Sequence, residues 1–235
     1  MVGTNKGSVT RKPPEEFNGM DAYETRNWFA DTKNSNYETW ADSLTNDEDY
    51  AISDYVGSGY GDMNPLLYNT PWEDMNYLDK GEIIDLYHAI NKFELHQPIH
   101  VNRACDSKIF GKKGMTVAEI KAVLNQSDGY VQNDGFLSFS TRPEGVVVNS
   151  KGVQLHVDVP ENKGAGAYLG KHGMTTEREY LFNNNSVFKF GPNRVYQDKY
   201  GVIHVHGQWV GQAESQTISK NYDKRALKKG RKRGK

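Results

Sequence analysis

Apolar residues recur at helical intervals along the first third of the chain and at strand-like intervals after it. From Asp21 onward, Ala22, Trp28, Phe29, Tyr37, Trp40 and Leu44 follow broadly helical spacing. Thr45-Asn46-Asp47-Glu48 then offers a capping box, in which the threonine hydroxyl and the carboxylate three residues later satisfy each other's backbone N–H groups. The helix that starts there carries Tyr50, Ile52 and Tyr55 and is expected to end at Gly57-Ser58-Gly59. A further helical stretch, Gly81 to Phe93, places Ile83, Ile84, Leu86, Tyr87 and Ile90 on one face. After Pro98 the period changes. Ile99 to Ala104 alternates, as do parts of Gly135 to Thr141, Val153 to Val159, Ala165 to Leu169, Tyr180 to Phe190 and Val202 to Val210. Between the first two of these, Thr116 to Leu124 is an amphipathic helix with Val117, Ile120 and Leu124 on one side. Helices gathered first and strands gathered later predict an α+β fold rather than repeated βαβ units.

Composition narrows the setting. The 235 residues are 36% hydrophobic, and no apolar run approaches the roughly 18 residues that a membrane-spanning helix needs. Residues 1–16, with the Pro13-Pro14 pair, read as a flexible lead-in to one folded unit over 17–212. They lack the continuous apolar segment of a secretory signal, so export by that route is not expected. The single Cys105 cannot form an internal disulfide, which fits a reducing compartment without demanding one. The formal net charge of −1 conceals an asymmetry: Lys220 to Lys235 holds nine Lys or Arg against one acid, Asp223. Residues 213–235 have almost nothing apolar to bury and read as a disordered basic tail. Such a tail can attract nucleic acid, or it can simply aid solubility.

The chemistry concentrates in Met174 to Phe182, where Glu177 and Glu179 stand two residues apart before an apolar run. In an extended segment both would point to one side. Two carboxylates over one spot can divide a reaction, one stabilising positive charge and the other handling a proton. A Glu-Arg-Glu run is also an ordinary solvated surface, so the pair gains meaning only from partners elsewhere.

Those partners come in order: Arg103 on the first strand after the helices, Ser138-Phe139-Ser140 on a later one, then Glu177-Arg178-Glu179. In this arrangement the chain resembles the arginine/serine/glutamate class of ADP-ribosyltransferases, and within it the exoenzymes that include the enzymatic components of clostridial binary toxins and related insecticidal proteins. Tyr37 to Trp40, Ser43 to Glu48, Ala51 to Tyr55 and Gly59 to Asn64 are similar to the helical front end of that family's catalytic domain. Ala165 to Leu169 and the Glu pair resemble its loop and strand at the acceptor site. Coverage is about residues 20–210. The resemblance implies N-terminal helices packed on a core of two antiparallel β-sheets, with a cleft for NAD as substrate. It assigns Glu179 to the oxocarbenium-like ribose, Ser138 both to bracing Glu179 and, with Arg103, Ser140 and Asn64, to NAD, and Glu177 to the acceptor. It implies transfer of ADP-ribose to a protein, and Glu-x-Glu is similar to the arginine-modifying members. A bacterial toxin component or a phage-encoded effector, working in the cytoplasm of the producing or target cell or delivered by separate machinery, suits these features. The chain departs from the pattern where Pro65-Leu66-Leu67 follows Asn64 in place of a frequent arginine. It also has Phe139 between the serines, Asn102-Arg103-Ala104 on the first strand and Asn183-Asn184-Asn185 after the Glu strand.

Other features carry less. His204 and His206 face one side of a strand with no third ligand evident, which points away from a metal site. Gly57-Ser58-Gly59-Tyr60-Gly61 follows a helix, not a strand, and so reads as a turn rather than a dinucleotide loop. Cys105 reads as buried, not nucleophilic. The competing expectation is a non-catalytic module that keeps the fold and binds nucleic acid through its tail.

Overall fold

In the computed structural model, which describes residues 19–30, 36–142, 152–173 and 178–213, the helices come first and the strands follow. The front end consists of α1 (Ala22–Ala30), α2 (Tyr37–Asp42) and α3 (Asn46–Asp54). The predicted capping box starts α3: the Thr45 hydroxyl accepts from the Glu48 N–H at 3.3 Å, and Glu48 Oε2 accepts from the Thr45 N–H at 2.6 Å. The chain does not stop at Gly57-Ser58-Gly59, as the sequence suggested. A π-helical turn, Tyr55–Gly59, carries it directly into α4 (Tyr60–Asn69). Glycine ends a helix by turning left-handed, but Gly59 keeps a φ of −60°. A Cβ there would collide with the Asp54 carboxylate, so this glycine makes room for a side chain instead of breaking the helix.

The long α5 (Tyr77–Asn91) begins where the Asn76 side chain accepts from the N–H groups of Leu78 and Asp79. It buries Ile83, Ile84, Leu86 and Ile90, the face the spacing predicts. The Trp40 indole N–H donates to the Ala89 carbonyl at 2.7 Å and ties α2 to α5. After the short β1 (Glu94–Leu95) and β2 (Ile99–Cys105) comes α6 (Val117–Gln126), started by a second capping box between Thr116 and Glu119. The remaining strands are β3 (Tyr130–Asn133), β4 (Leu137–Ser140), β5 (Val153–Val159), β6 (Asn162–Lys163), β7 (Gly166–Tyr168), β8 (Glu179–Phe182), β9 (Ser186–Gln197) and β10 (Ile203–Gln212).

Strands β1 and β6 pair by themselves, and the others lie in the order β3-β9-β10-β5-β2-β4-β8-β7. This row is two groups, β3 to β2 and β4 to β7, joined by the single residue pair Asn102–Ser140. Neighbours run antiparallel except β10 beside β5, which is parallel from Ile203–Val153 to Gln208–Asp158. The aromatic core locks the groups together. Phe139 of one contacts Phe188 of the other with ring centroids 6.0 Å apart, and Phe182 lies 5.2 Å from Phe188. Phe29 of α1 stacks on Tyr168 at 4.2 Å, and Phe93 meets Tyr180 edge-on, which seats the helices on β7 and β8. Each such fully buried ring contributes about 1.5–3 kcal/mol of transfer free energy. No helix among the described residues is long and apolar enough to cross a membrane.

Candidate functional site

The joint between the two strand groups makes the site. Strands β2 and β4 share only the Asn102–Ser140 pair, and a cleft opens beside it between Arg103 and Ala104 on one side and Ser138, Phe139 and Glu179 on the other, with an open volume of ≈ 490 Å³. It continues towards the helices as a space of ≈ 860 Å³ walled by Tyr55, Tyr60, Asn64, Tyr68 and Phe136. Three of the residues picked from the sequence, Arg103, Ser138 and Glu179, line both parts.

Register explains their meeting. Ser140 of β4 lies opposite Glu179 of β8, and Ser138 opposite Leu181. Residues two apart share a face, so Ser138 is the diagonal neighbour of Glu179 on the same side of the sheet. The Ser138 hydroxyl donates a short hydrogen bond to Glu179 Oε1. The Ser138 carbonyl in turn accepts a short hydrogen bond from Arg103 Nη1. One residue therefore holds the cation through its backbone and the carboxylate through its side chain. Charge-assisted bonds of this kind contribute about 1.5–3 kcal/mol each. Glu179 is buried at 7% exposure, so its direction is set by these partners and not by solvent.

Asn64 reaches the site from α4. Its Oδ1 accepts from the Phe136 N–H at 2.9 Å, and its Nδ2 donates to the Tyr55 hydroxyl at 3.1 Å; that hydroxyl donates to the Phe136 carbonyl at 3.3 Å. Asn64 thus fastens the π turn and α4 to the start of β4, with both ends of its amide engaged inside the protein. Burial pushes the Tyr55 hydroxyl up to about 12, against the opposing hydrogen bond from Asn64, so it stays protonated as a donor. Ser140 Oγ accepts from the Arg142 N–H at 3.1 Å and lies on the cleft wall.

Glu177 lies outside the described residues, as do Met174 and the basic segment 220–235. The expectation that Glu177 and Glu179 point to one side therefore falls outside the described residues; within them, β8 starts at Glu179 and Arg178 makes a left-handed turn before it at φ 47°. Thr141 supports that turn, donating to the Arg178 carbonyl through both N–H and hydroxyl at 3.0 Å.

Sequence reasoning missed Tyr55 and Tyr68 as cleft residues; Tyr55 stood in the helical pattern and Tyr68 was not singled out, and only the meeting of α4 with β4 brings both to the cleft. It also saw two of four clustered histidines. His156 of β5 stacks on His206 at 4.2 Å and on His204 at 5.2 Å, and His100 of β2 lies 5.9 Å from His156. The His156–His206 and His156–His204 rings are within 19° of parallel, and His156 Nε2 and His204 Nδ1 share a hydrogen bond of 2.9 Å. Among the described residues no group of three His, Cys, Asp or Glu converges on a metal-sized point. Burial pushes the Cys105 thiol up to about 11, which keeps it protonated at neutral pH.

The cleft thus gathers a guanidinium, a braced carboxylate and tyrosine rings within one open space. A sequence profile described as ADP-ribosyltransferase exoenzyme matches residues 30–221. Among solved structures the fold is similar to Plx2a, an ADP-ribosyltransferase toxin from Paenibacillus larvae, with a TM-score of 0.64 and 19% identity over 81% of this chain and 96% of that one. It is similar to the enzymatic component C2-I of the C2-toxin from Clostridium botulinum, with a TM-score of 0.59 and 20% identity over 76% of this chain and 46% of that one. The chain thus spans about half the length of C2-I. It is also similar to C3stau2 from S. aureus, solved with NAD, with a TM-score of 0.62 and 15% identity over 84% and 100% of the two chains. No curated protein matches.

Proposed function

The chain belongs to the ADP-ribosyltransferase exoenzyme family, with NAD as its substrate, and on that premise we propose that it transfers a single ADP-ribose to an arginine side chain of a protein. The observation that carries the reading is the double hold of Ser138 on Arg103 and Glu179 inside the cleft. In the reaction the bond between the ribose C1 and the nicotinamide nitrogen breaks, and its electron pair leaves with nicotinamide. Positive charge develops on the ribose, and the Glu179 carboxylate, held in one direction, stabilises it. Arg103 presents a planar fork to the diphosphate. Asn64 and Ser140 belong to the NAD side of the cleft by their position on its walls; Asn64 serves there mainly by holding Tyr55 and Phe136 in place.

Glu177 takes the acceptor role. A guanidinium stays protonated at neutral pH and is a poor nucleophile until a base removes a proton as its nitrogen attacks C1. A second carboxylate two residues from Glu179 is the group available for that step. A bacterial toxin component or phage effector remains the setting that suits such an activity.

Incubation with labelled NAD and a cell lysate, followed by gel separation, tests the reading. Labelled protein bands that free arginine or agmatine competes away are expected, and the Glu179→Ala variant should produce neither bands nor nicotinamide. Wild-type protein that releases no nicotinamide would overturn the enzymatic assignment. Bands insensitive to agmatine would overturn the arginine acceptor alone.

A further inference from the structure

Outside the cleft, a chain of three side chains ties the helical front end to the turn that leaves β7. Asp49 Oδ1 lies 2.7 Å from His172 Nε2, and His172 Nδ1 lies 2.9 Å from the Tyr37 hydroxyl. The same hydroxyl accepts from the Lys171 N–H at 3.0 Å. Burial holds the Tyr37 hydroxyl above its ordinary value, against the hydrogen bonds it receives from the Lys171 and His172 backbone. The Asp49 carboxylate only accepts, so His172 donates to it from Nε2, and in the neutral ring Nδ1 then accepts from the Tyr37 hydroxyl.

The turn held this way is built for the contact. The His172 N–H donates to the Leu169 carbonyl at 2.9 Å, and Gly170 is left-handed at φ 51° with Tyr37's ring where a Cβ would be. The Leu169 N–H donates to the Glu179 carbonyl at 3.0 Å. Gly173 lies against Glu179, so that a Cβ there would be 3.6 Å from Glu179 Oε2. Ser138 holds the other oxygen, Oε1. The carboxylate therefore has a braced side facing the NAD cleft and a second side bounded by the turn that His172 anchors.

We propose that the Asp49–His172–Tyr37 chain positions this second side for the acceptor, making His172 a positioning residue for transfer and not for cleavage of NAD. The proposal rests on the assignment of cleavage to Glu179 and of the acceptor to the neighbouring segment. Nothing in the chain of three reaches Arg103, Asn64 or Tyr55. Its loss shifts the acceptor side while the NAD side keeps its own fastenings, and a displacement near 1 Å can cost about a hundredfold in a positioned reaction.

The test compares wild-type protein with Tyr37→Phe and His172→Ala, measuring nicotinamide release without acceptor and labelling of agmatine and lysate protein with it. Transfer is expected to fall at least about tenfold, with KM for NAD unchanged and hydrolysis within about threefold of wild type. Amide hydrogen exchange at Lys171 should quicken in Tyr37→Phe, which retains the ring and its packing. Equal loss of hydrolysis and transfer would overturn the proposal by placing the chain with Glu179 or the fold. So would unchanged transfer, or unchanged exchange at Lys171. Wild-type protein that labels lysate protein but not agmatine sinks the arginine acceptor only, and the variants are then judged on the lysate bands. Wild-type release of nicotinamide with no labelling of anything sinks the acceptor reading and this proposal together.

Discussion

At the scale of single residues, Ser138 divides its two holds between backbone and side chain, and that division can be measured. Ser138→Ala removes the hydroxyl that steers Glu179 but leaves the carbonyl that binds Arg103. Nicotinamide release should fall by tenfold or more while NAD affinity by calorimetry stays within about threefold, since a charge-assisted bond of about 1.5–3 kcal/mol is lost from the carboxylate alone. A parallel loss of affinity would show that the serine binds NAD itself. Glu177→Gln keeps the size of the side chain but cannot take a proton. Arginine transfer should drop about a hundredfold while hydrolysis persists, because water traps an oxocarbenium-like species with less help. Equal loss of both activities would move Glu177 out of the acceptor role. The sequence made both glutamates visible; of the two, the structure describes Glu179 alone, preceded by Arg178 in the left-handed region.

Among the elements, the close approach of α4 to the start of β4 shapes the NAD side of the cleft, and Gly135 is where it is tightest. A Cβ on Gly135 would lie 2.6 Å from Asn64 Oδ1 and 2.7 Å from the Tyr68 hydroxyl. Tyr68 is half-exposed and held at its hydroxyl by one hydrogen bond to Asn133 Oδ1 at 3.1 Å, whereas Asn64 is pinned by both Phe136 and Tyr55. Gly135→Ala should destabilise the protein by about 1–3 kcal/mol, the usual cost of overpacking, and raise KM for NAD. A melting temperature and KM at parental values would mean the contact relaxes freely. The capping box at Thr45 was legible because it is closed within four residues, and the one at Thr116, passed over in the sequence, is closed over the same span. The passage through Tyr55–Gly59 was not legible, because a glycine needed for room and one needed for a left-handed turn look alike in a sequence.

For the whole molecule, the stacked histidines connect stability to pH. Burial, then the neighbouring His206, His100 and His204 and the Arg194 guanidinium, hold His156 down to about 3 from an ordinary 6.5. Burial, then Arg194, His100 and His204, hold His206 down to about 4, with Asp158 opposing. Asp198 and Tyr196 flank His204 on its outer side. In the unfolded chain both rings take protons near 6.5, whereas the folded ones do so only near 3–4. The unfolded state thus binds more protons below about 6.5, and their stabilising contribution, complete above that pH, is lost as pH falls towards 3. Each pH unit in that window costs about 1.4 kcal/mol for His156, or roughly 3–6 °C in a chain of this size, and less for the partly exposed His206. His156→Phe, which keeps an aromatic ring in the stack, should flatten the fall in melting temperature between pH 7.5 and 5; a parallel fall would assign the acid sensitivity elsewhere. Two of these histidines were visible as neighbours on one strand, but the strand order β10-β5-β2 assembles all four, and no local pattern encodes strand order. The same limit runs through the protein. Periodicity, caps and the ordered Arg, Ser-x-Ser and Glu-x-Glu motifs determined the element types, the α+β class and the family, because each depends on residues near in sequence or on side-chain chemistry alone. Only the tertiary structure decided the single Asn102–Ser140 joint that opens the cleft, the diagonal register that brings Ser138 to Glu179, and the link from Asp49 through His172 to Tyr37, because these are set by packing between segments up to 135 residues apart.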